Sequence, residues 1–364
     1  MRCEMEKNSA LATRRAALRR LLTAAGLETV YLTTPAMVRY FSGYTGTEAA
    51  MLCRGARRWL ITDSRYQEAA ALDAPECKLT LWKKSMADTA AEILKKSAGR
   101  KIGVEAESLS FGAGEVFRRA GIKPVPLPAE FAGVRQVKNA AETAAIKKAV
   151  KIAEDAFTEF RPRLRAGMTE LDIKAELEYL ALRRGAEGMS FPTIVAIGAN
   201  SSLPHAQAGK NRLKAGVPLL IDFGVFADGY ASDLTRTLFF GKMPPFWRKH
   251  YQLVLDAQLA GIAAIKAGIS GKIPDEAARE VFRRAGVEEY FIHSLGHGFG
   301  LEIHEAPRLS RFAGILPPGS VVTVEPGLYF PGKGGIRIED DVRVTAERGE
   351  VLSGLPKSLN DCVL

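Results

Sequence analysis

The residues able to do chemistry crowd into a few segments of the C-terminal half of the chain, which has only five histidines among its 364 residues. Residues 293–305 read HSLGHGFGLEIHE and hold His293, His297 and His304, residues 202–205 read SLPH and end on His205, and only His250 stands apart. Acids come from three stretches: IDFGVFADGYASDLT at 221–235 with Asp222 and Asp233, TVEPG at 323–327 with Glu325, and RIED at 337–340 with Glu339. The same segments otherwise read as apolar, β-rich sequence, and charges buried in such surroundings must be paired or coordinate a metal. Oxygen-rich ligation with an imidazole suits Mn²⁺, Fe²⁺, Co²⁺ or Zn²⁺, with Mn²⁺ favoured, and the lack of thiolate ligands argues against a closed structural zinc site. The pattern is that of a two-metal hydrolytic site. Paired cations would lower the pKa of water and polarise a substrate carbonyl, so no Ser or Cys nucleophile is needed.

Bringing the acids together is a task for hairpins. Asp228-Gly229 lies between two apolar runs and is a strong signal for a type I′ turn, which needs positive φ at both central positions. With Ala227 facing Tyr230, Gly224 faces Asp233, and Asp222 points to the same face by the period of two. Such diagonal neighbours lie roughly 7–8 Å apart, within reach of a shared metal pair. Residues 331–335, PGKGG, predict a second hairpin with a five-residue loop, Phe330 facing Ile336 and Gly327 facing Glu339. Glu325 then becomes the diagonal, same-face neighbour of Glu339. Four converging carboxylates repel one another, and two divalent cations carry about the charge that neutralises them.

The rest of the chain supplies the scaffold. Its length exceeds what one core usually fills, so two domains are expected, and 47% hydrophobic content is ample for both. No stretch approaches the roughly 18 apolar residues of a membrane span and the first residues lack a signal-peptide core, so a soluble cytoplasmic protein without membrane partners is expected. Cys3, Cys53, Cys77 and Cys362 have no CxxC spacing and read as free thiols. The net charge of +10 could favour nucleic acid, yet the basic residues fall mostly on predicted helix faces, so solvated surface is the preferred reading and no nucleic-acid partner is expected.

Residues 1–131 alternate helix and strand patterns and predict an α/β domain. Helix signals cover about 10–25, 87–99 and 110–121, and strand signals cover ETVYLTT, AAMLC, RRWLITD, CKLTLW and KIGVEAE. The proline-rich KPVPLPAEF interrupts both helix and sheet and sets the boundary near Phe131. Residues 132–364 have α+β order. Asn139 and Glu142 form a capping box for a long helix to about Phe160, a second helix follows Thr169, and strands FPTIVAIG and PLLIDFGVF come next. Helices over about 246–266 and 275–285 precede the closing strands.

Taken together, these motifs resemble the metallopeptidases of the creatinase, or pita-bread, fold, which include methionine aminopeptidases, prolidases and aminopeptidases P. The resemblance covers most of the chain, since YFSGYTGTEAAML and LITDSRYQEAA are similar to the N-terminal domain of bacterial Xaa-Pro peptidases, a domain that methionine aminopeptidases generally lack. It implies Asp222, Asp233, His297, Glu325 and Glu339 as ligands of two divalent metals, with Mn favoured over Co, Zn or Fe, and Glu325 also as general base. It further implies that His205 and His304 hold substrate and stabilise the tetrahedral oxyanion or leaving nitrogen, that His293 lines a proline pocket, and that Tyr329 and Arg337 support the site. The sequence departs from the family pattern at Pro192, where relatives often carry an acidic or polar residue, and after His205, where HAQAGKNR lacks the common Gly-x-Pro.

The expected activity is release of the residue that precedes proline from short proline-containing peptides, by an Xaa-Pro aminopeptidase that works as a homodimer. An Xaa-Pro dipeptidase is the alternative. A non-catalytic binding protein of this fold, or a metal-free hydrolase like creatinase, would be expected to have lost ligands, and none is missing. The glycines of PGKGG and GHGFG do not form phosphate loops, because neither segment ends in Gly-Lys-Ser/Thr opening a helix.

Overall fold

The computed structural model describes residues 2–95 and 101–364. The thiol of Cys3 and the end of the helix expected over 87–99 lie outside the described residues. Two compact units emerge, Met1–Val134 and Arg135–Leu364.

The first unit is built on a six-stranded sheet in the order Lys78–Leu81, Arg57–Thr62, Ala50–Arg54, Thr29–Leu32, Lys101–Val104, Lys123–Pro126. Five of these strands fall on the runs of β-branched and aliphatic residues that predicted them. The sixth corrects the reading of KPVPLPAEF: Lys123–Pro126 pairs in parallel with Lys101–Val104 at the sheet edge. An edge strand tolerates proline because one side of it has no ladder bond to lose. Tyr31, Leu52, Ile61, Leu94, Ile102 and Phe117 fill the core beside it.

The second unit packs helices against antiparallel strands. Helix Ala140–Phe160 opens with the full capping box: Asn139 accepts from the Glu142 amide and Glu142 from the Asn139 amide. Helix Glu170–Arg183 starts at Thr169, which makes the same reciprocal pair with Asp172. Leu234–Phe239, Pro218–Phe223 and Ile194–Ile197 form one antiparallel sheet, and Glu305–Leu309, Gly296–Gly298, Val321–Val324, Asp340–Val344 and Gly349–Val351 form another. Helices Pro245–Ala263 and Lys272–Arg284 complete the unit, each beginning somewhat earlier than its apolar pattern predicts. Every residue of Pro218–Phe223 and Leu234–Phe239 is buried. An acid placed on or beside these strands is therefore forced into the interior.

Candidate active site

Asp228 and Gly229 have φ of 50° and 73°, the positive pair a type I′ turn requires. Ala227 faces Tyr230 as predicted, and beyond the turn Thr235 faces Asp222 and Leu234 faces Phe223. Both ladders share one register, which puts position 224 opposite Asp233. Between them the ladder breaks: a Cβ on Gly224 would lie 1.9 Å from the Ser232 carbonyl oxygen, so only glycine lets the strands approach there.

The second hairpin holds a correction. Phe330 faces Gly334 and Gly327 faces Arg337, so the loop is three residues long and not five. The cause is a segment distant in sequence, because Gly335 donates its amide to Ser201 Oγ at 2.8 Å and a Cβ there would lie 2.3 Å from the Ser201 carbonyl oxygen. These glycines serve close packing and belong to the strand. A slip of two leaves every side chain on its expected face. Val324 faces Asp340 farther along the same register, so Glu325 and Glu339 stand directly opposed and not diagonal.

Asp222, Asp233, His297, Glu325, Glu339, His205, His293, His304 and Arg337 all line one cavity of about 720 Å³. Carboxylate oxygens of Asp222, Asp233 and Glu339 lie within 4.8 Å of one another. His297 Nε2 stands 3.4 Å from Glu325 Oε1 and 3.7 Å from Asp233 Oδ2. Burial first, and then the charges of Glu339, Asp222 and Glu325, raise the Asp233 carboxyl well above the usual carboxylate range. Glu339 is raised by burial and by Glu325, and burial is the main cause that pushes Glu325 up to about 7.

Imidazoles move the opposite way. Burial, assisted by nearby His304, holds His297 down at about 3, and burial does the same to His293. A neutral His297 with Nδ1 3.1 Å from the Gly298 carbonyl donates there and turns a lone pair on Nε2 toward the two carboxylates. A lone pair aimed at carboxylate oxygens, beside an Asp222 Oδ1 that is buried without a hydrogen-bond partner, is a donor set that fits divalent cations.

The surrounding shell fixes these groups in place. Thr235 Oγ1 donates to Glu339 at 2.6 Å, and Thr323 Oγ1 donates to Glu325 at 3.1 Å. Arg337 pairs with Asp222 through Nη2, and its Nη1 donates to the Tyr329 hydroxyl at 2.7 Å and the Pro204 carbonyl at 3.3 Å. Tyr329 in turn donates to His293 Nε2 at 2.9 Å, and His293 Nδ1 donates to the Ser294 carbonyl at 2.8 Å. The chain of donors is therefore continuous from guanidinium to backbone, with His293 neutral. Tyr329 reaches the cavity through this chain, while His205 and His304 sit exposed at its mouth, the His304 ring 4.5 Å from that of His297.

Sequence reasoning missed four contributors. Thr235 and Thr323 each stand two residues from a predicted acid, which the period of two places on the same face. Asp341 is buried and accepts the Asp233 amide at 3.2 Å. Arg308 faces His297 across the ladder and lines the cavity. Asp341 also stands two residues from a predicted acid, Glu339, whereas no spacing rule singles out Arg308.

Likeness to known proteins agrees with this geometry. The Creatinase/Prolidase N-terminal domain matches residues 14–137, and Metallopeptidase family M24 matches residues 144–346. The Xaa-Pro dipeptidase of Pyrococcus furiosus is 35% identical over 92% of this chain and 95% of its own. Among solved structures, the Xaa-Pro dipeptidase from Bacillus anthracis superposes with a TM-score of 0.93 at 36% identity, covering 97% of this chain and 100% of that one. The X-Pro aminopeptidase from Thermotoga maritima gives 0.88 at 36% identity over 96% and 99%. With a creatinase-type N-terminal domain, a pita-bread catalytic unit and an acid-rich buried centre, the chain belongs to metallopeptidase family M24.

Proposed function

We propose that the protein is an Xaa-Pro dipeptidase, in which Asp222, Asp233, His297, Glu325 and Glu339 hold two divalent cations, Mn²⁺ foremost. The observation that carries this reading is full-length likeness to Xaa-Pro dipeptidases from two organisms. It moves the expected activity from aminopeptidase to dipeptidase, and the Thermotoga structure keeps the aminopeptidase as the second reading. Arg308 supports the shift. It is exposed, it lines the cavity and, among the described residues, no ion pair joins it to a carboxylate. The free carboxylate of a dipeptide lies one residue beyond the scissile bond and would find a cation there.

Cations held by these ligands would polarise the substrate carbonyl and make water nucleophilic near neutral pH. The chain's own groups do the remainder. Glu325, oriented by the Thr323 hydroxyl, is poised to take the proton of the attacking water. His205 and His304, at the mouth of the cavity, donate to the developing oxyanion and to the departing prolyl nitrogen. Neutral His293, held by Tyr329 and the Ser294 carbonyl, presents a ring face as one wall of the proline pocket.

Hydrolysis of Ala-Pro and of Ala-Pro-Ala by the Mn²⁺-loaded protein tests this reading. Ala-Pro is expected to have the higher kcat/KM. Arg308→Ala should lower it about 10–100-fold, the worth of a charge-assisted hydrogen bond, while leaving Ala-Pro-Ala nearly unchanged. Faster turnover of the tripeptide by the wild type would establish the aminopeptidase instead.

A further inference from the structure

Positive charge is distributed unevenly along the chain, and the peptidase chemistry leaves it unused. The first 134 residues hold 21 Lys and Arg against 14 Asp and Glu, whereas the remaining 230 hold 30 against 27. Within the first unit, the second half of helix Arg2–Ala24 and the hairpin formed by Ala50–Arg54 and Arg57–Thr62 border a cavity of about 700 Å³. Arg15, Arg19, Arg54, Arg57 and Arg58 line it, together with an apolar wall of Leu18, Leu22 and Leu27.

Two of these arginines are under-satisfied inside the protein. Arg15 is only 6% exposed; its Nε donates to the Phe41 carbonyl at 2.9 Å and its Nη1 pairs with Glu76, but its buried Nη2 has no hydrogen-bond partner. Arg58 stands 3.6 Å from the same Glu76, and its buried Nε likewise has no partner. A single carboxylate thus serves two guanidinium groups. Leaving a buried N–H donor unmade costs about 1–3 kcal/mol, so an acceptor that reached these two arginines would relieve that cost. Glu28 pairs with Arg54 at 3.8 Å and is the acid that lines the cavity among the described residues. Among the described residues, five guanidinium groups stand against Glu28 and Glu76, an excess of positive charge of the order that a di- or triphosphate group neutralises. The planar fork of arginine matches phosphate oxygens two at a time.

We propose that this cavity is a binding site for a small phosphorylated molecule with an apolar body, phosphates on the arginines and body against Leu18, Leu22 and Leu27. Its volume is within the usual range for small-molecule sites. ATP, added with excess Mg²⁺ to the metal-loaded enzyme, is the probe, with adenosine and citrate as controls and calorimetry as the readout. ATP should bind, and more weakly as salt rises. Arg19 and Arg57 are exposed and line the cavity, so Arg19→Glu/Arg57→Glu leaves the fold intact. The double variant should weaken ATP at least about tenfold through charge reversal and should hydrolyse Ala-Pro at the wild-type rate when ATP is absent. Absence of ATP binding at about 1 mM, equal affinity in the double variant, or equal affinity for adenosine or citrate would each overturn the proposal.

Discussion

Glu325, Asp233 and Glu339 carry the clearest physical message of the site, because burial and mutual repulsion raise all three carboxyls above their usual range. A carboxyl whose folded pKa is raised favours the folded state while protonated. Its contribution is complete below the ordinary carboxylate range and is lost as pH rises through the folded values, which for Glu325 lies at about 7. His293 and His297, held down at about 3, oppose this below the ordinary imidazole pKa of about 6.5, because there the unfolded chain takes up protons that the folded chain refuses. Above about pH 7 that opposition is spent, and the metal-stripped protein should have a falling Tm between about pH 7 and pH 8. Asp340 works in the other direction, since Arg236 and Lys357 overcome its burial and hold its carboxyl low. Its stabilisation is lost only below the ordinary carboxylate range, outside this window. Cations compete with protons for the same oxygens, so the gain in Tm on adding Mn²⁺ should grow as pH rises. Thermal unfolding with and without metal checks this, and a metal-stripped Tm that rises from about pH 7 to pH 8 contradicts it.

At the scale of elements, the two hairpins differ in how much of them the sequence disclosed. Asp228-Gly229 left one solution, and the register of the first hairpin follows it residue for residue. In the second, Gly334 and Gly335 were read as loop because glycine is a common turn residue, whereas here they admit the backbone around Ser201. One residue type answers two physical demands, and only a neighbour distant in sequence decides between them. The same limit explains Lys123–Pro126, where proline signalled a break and the sheet used it as an edge. Arg308 escaped for a related reason, as it gains meaning only from His297, which it meets across the ladder. Gly224 offers a test at this scale. The added methyl of Gly224→Ala would collide with a backbone carbonyl that cannot rotate away, for at least about 3 kcal/mol. Tm should fall by about 6–12 °C, with activity lost because Asp222 and Asp233 flank the position. A Tm within about 2 °C of the wild type would remove the close approach as the reason for glycine.

For the whole molecule, the alternation of helix and strand patterns before Phe131 and the α+β order after it were legible because long periodic segments dominate both halves. The catalytic unit places its acids on or beside buried strands, a placement that repulsion forbids unless something positive completes it. Among the described residues, no helix is long and apolar enough to cross a membrane. The central claim is that five residues from two hairpins and the Gly296–Gly298 strand hold a metal pair that drives hydrolysis before proline. Titrating metal-stripped protein with Mn²⁺ while following Ala-Pro hydrolysis, with Ala-Ala in parallel, tests it most directly. Activity on Ala-Pro should climb to a plateau at two Mn²⁺ per chain and stay far above that on Ala-Ala throughout. Full activity without added metal after exhaustive chelation, a plateau at one ion per chain, or equal turnover of Ala-Ala would contradict the account.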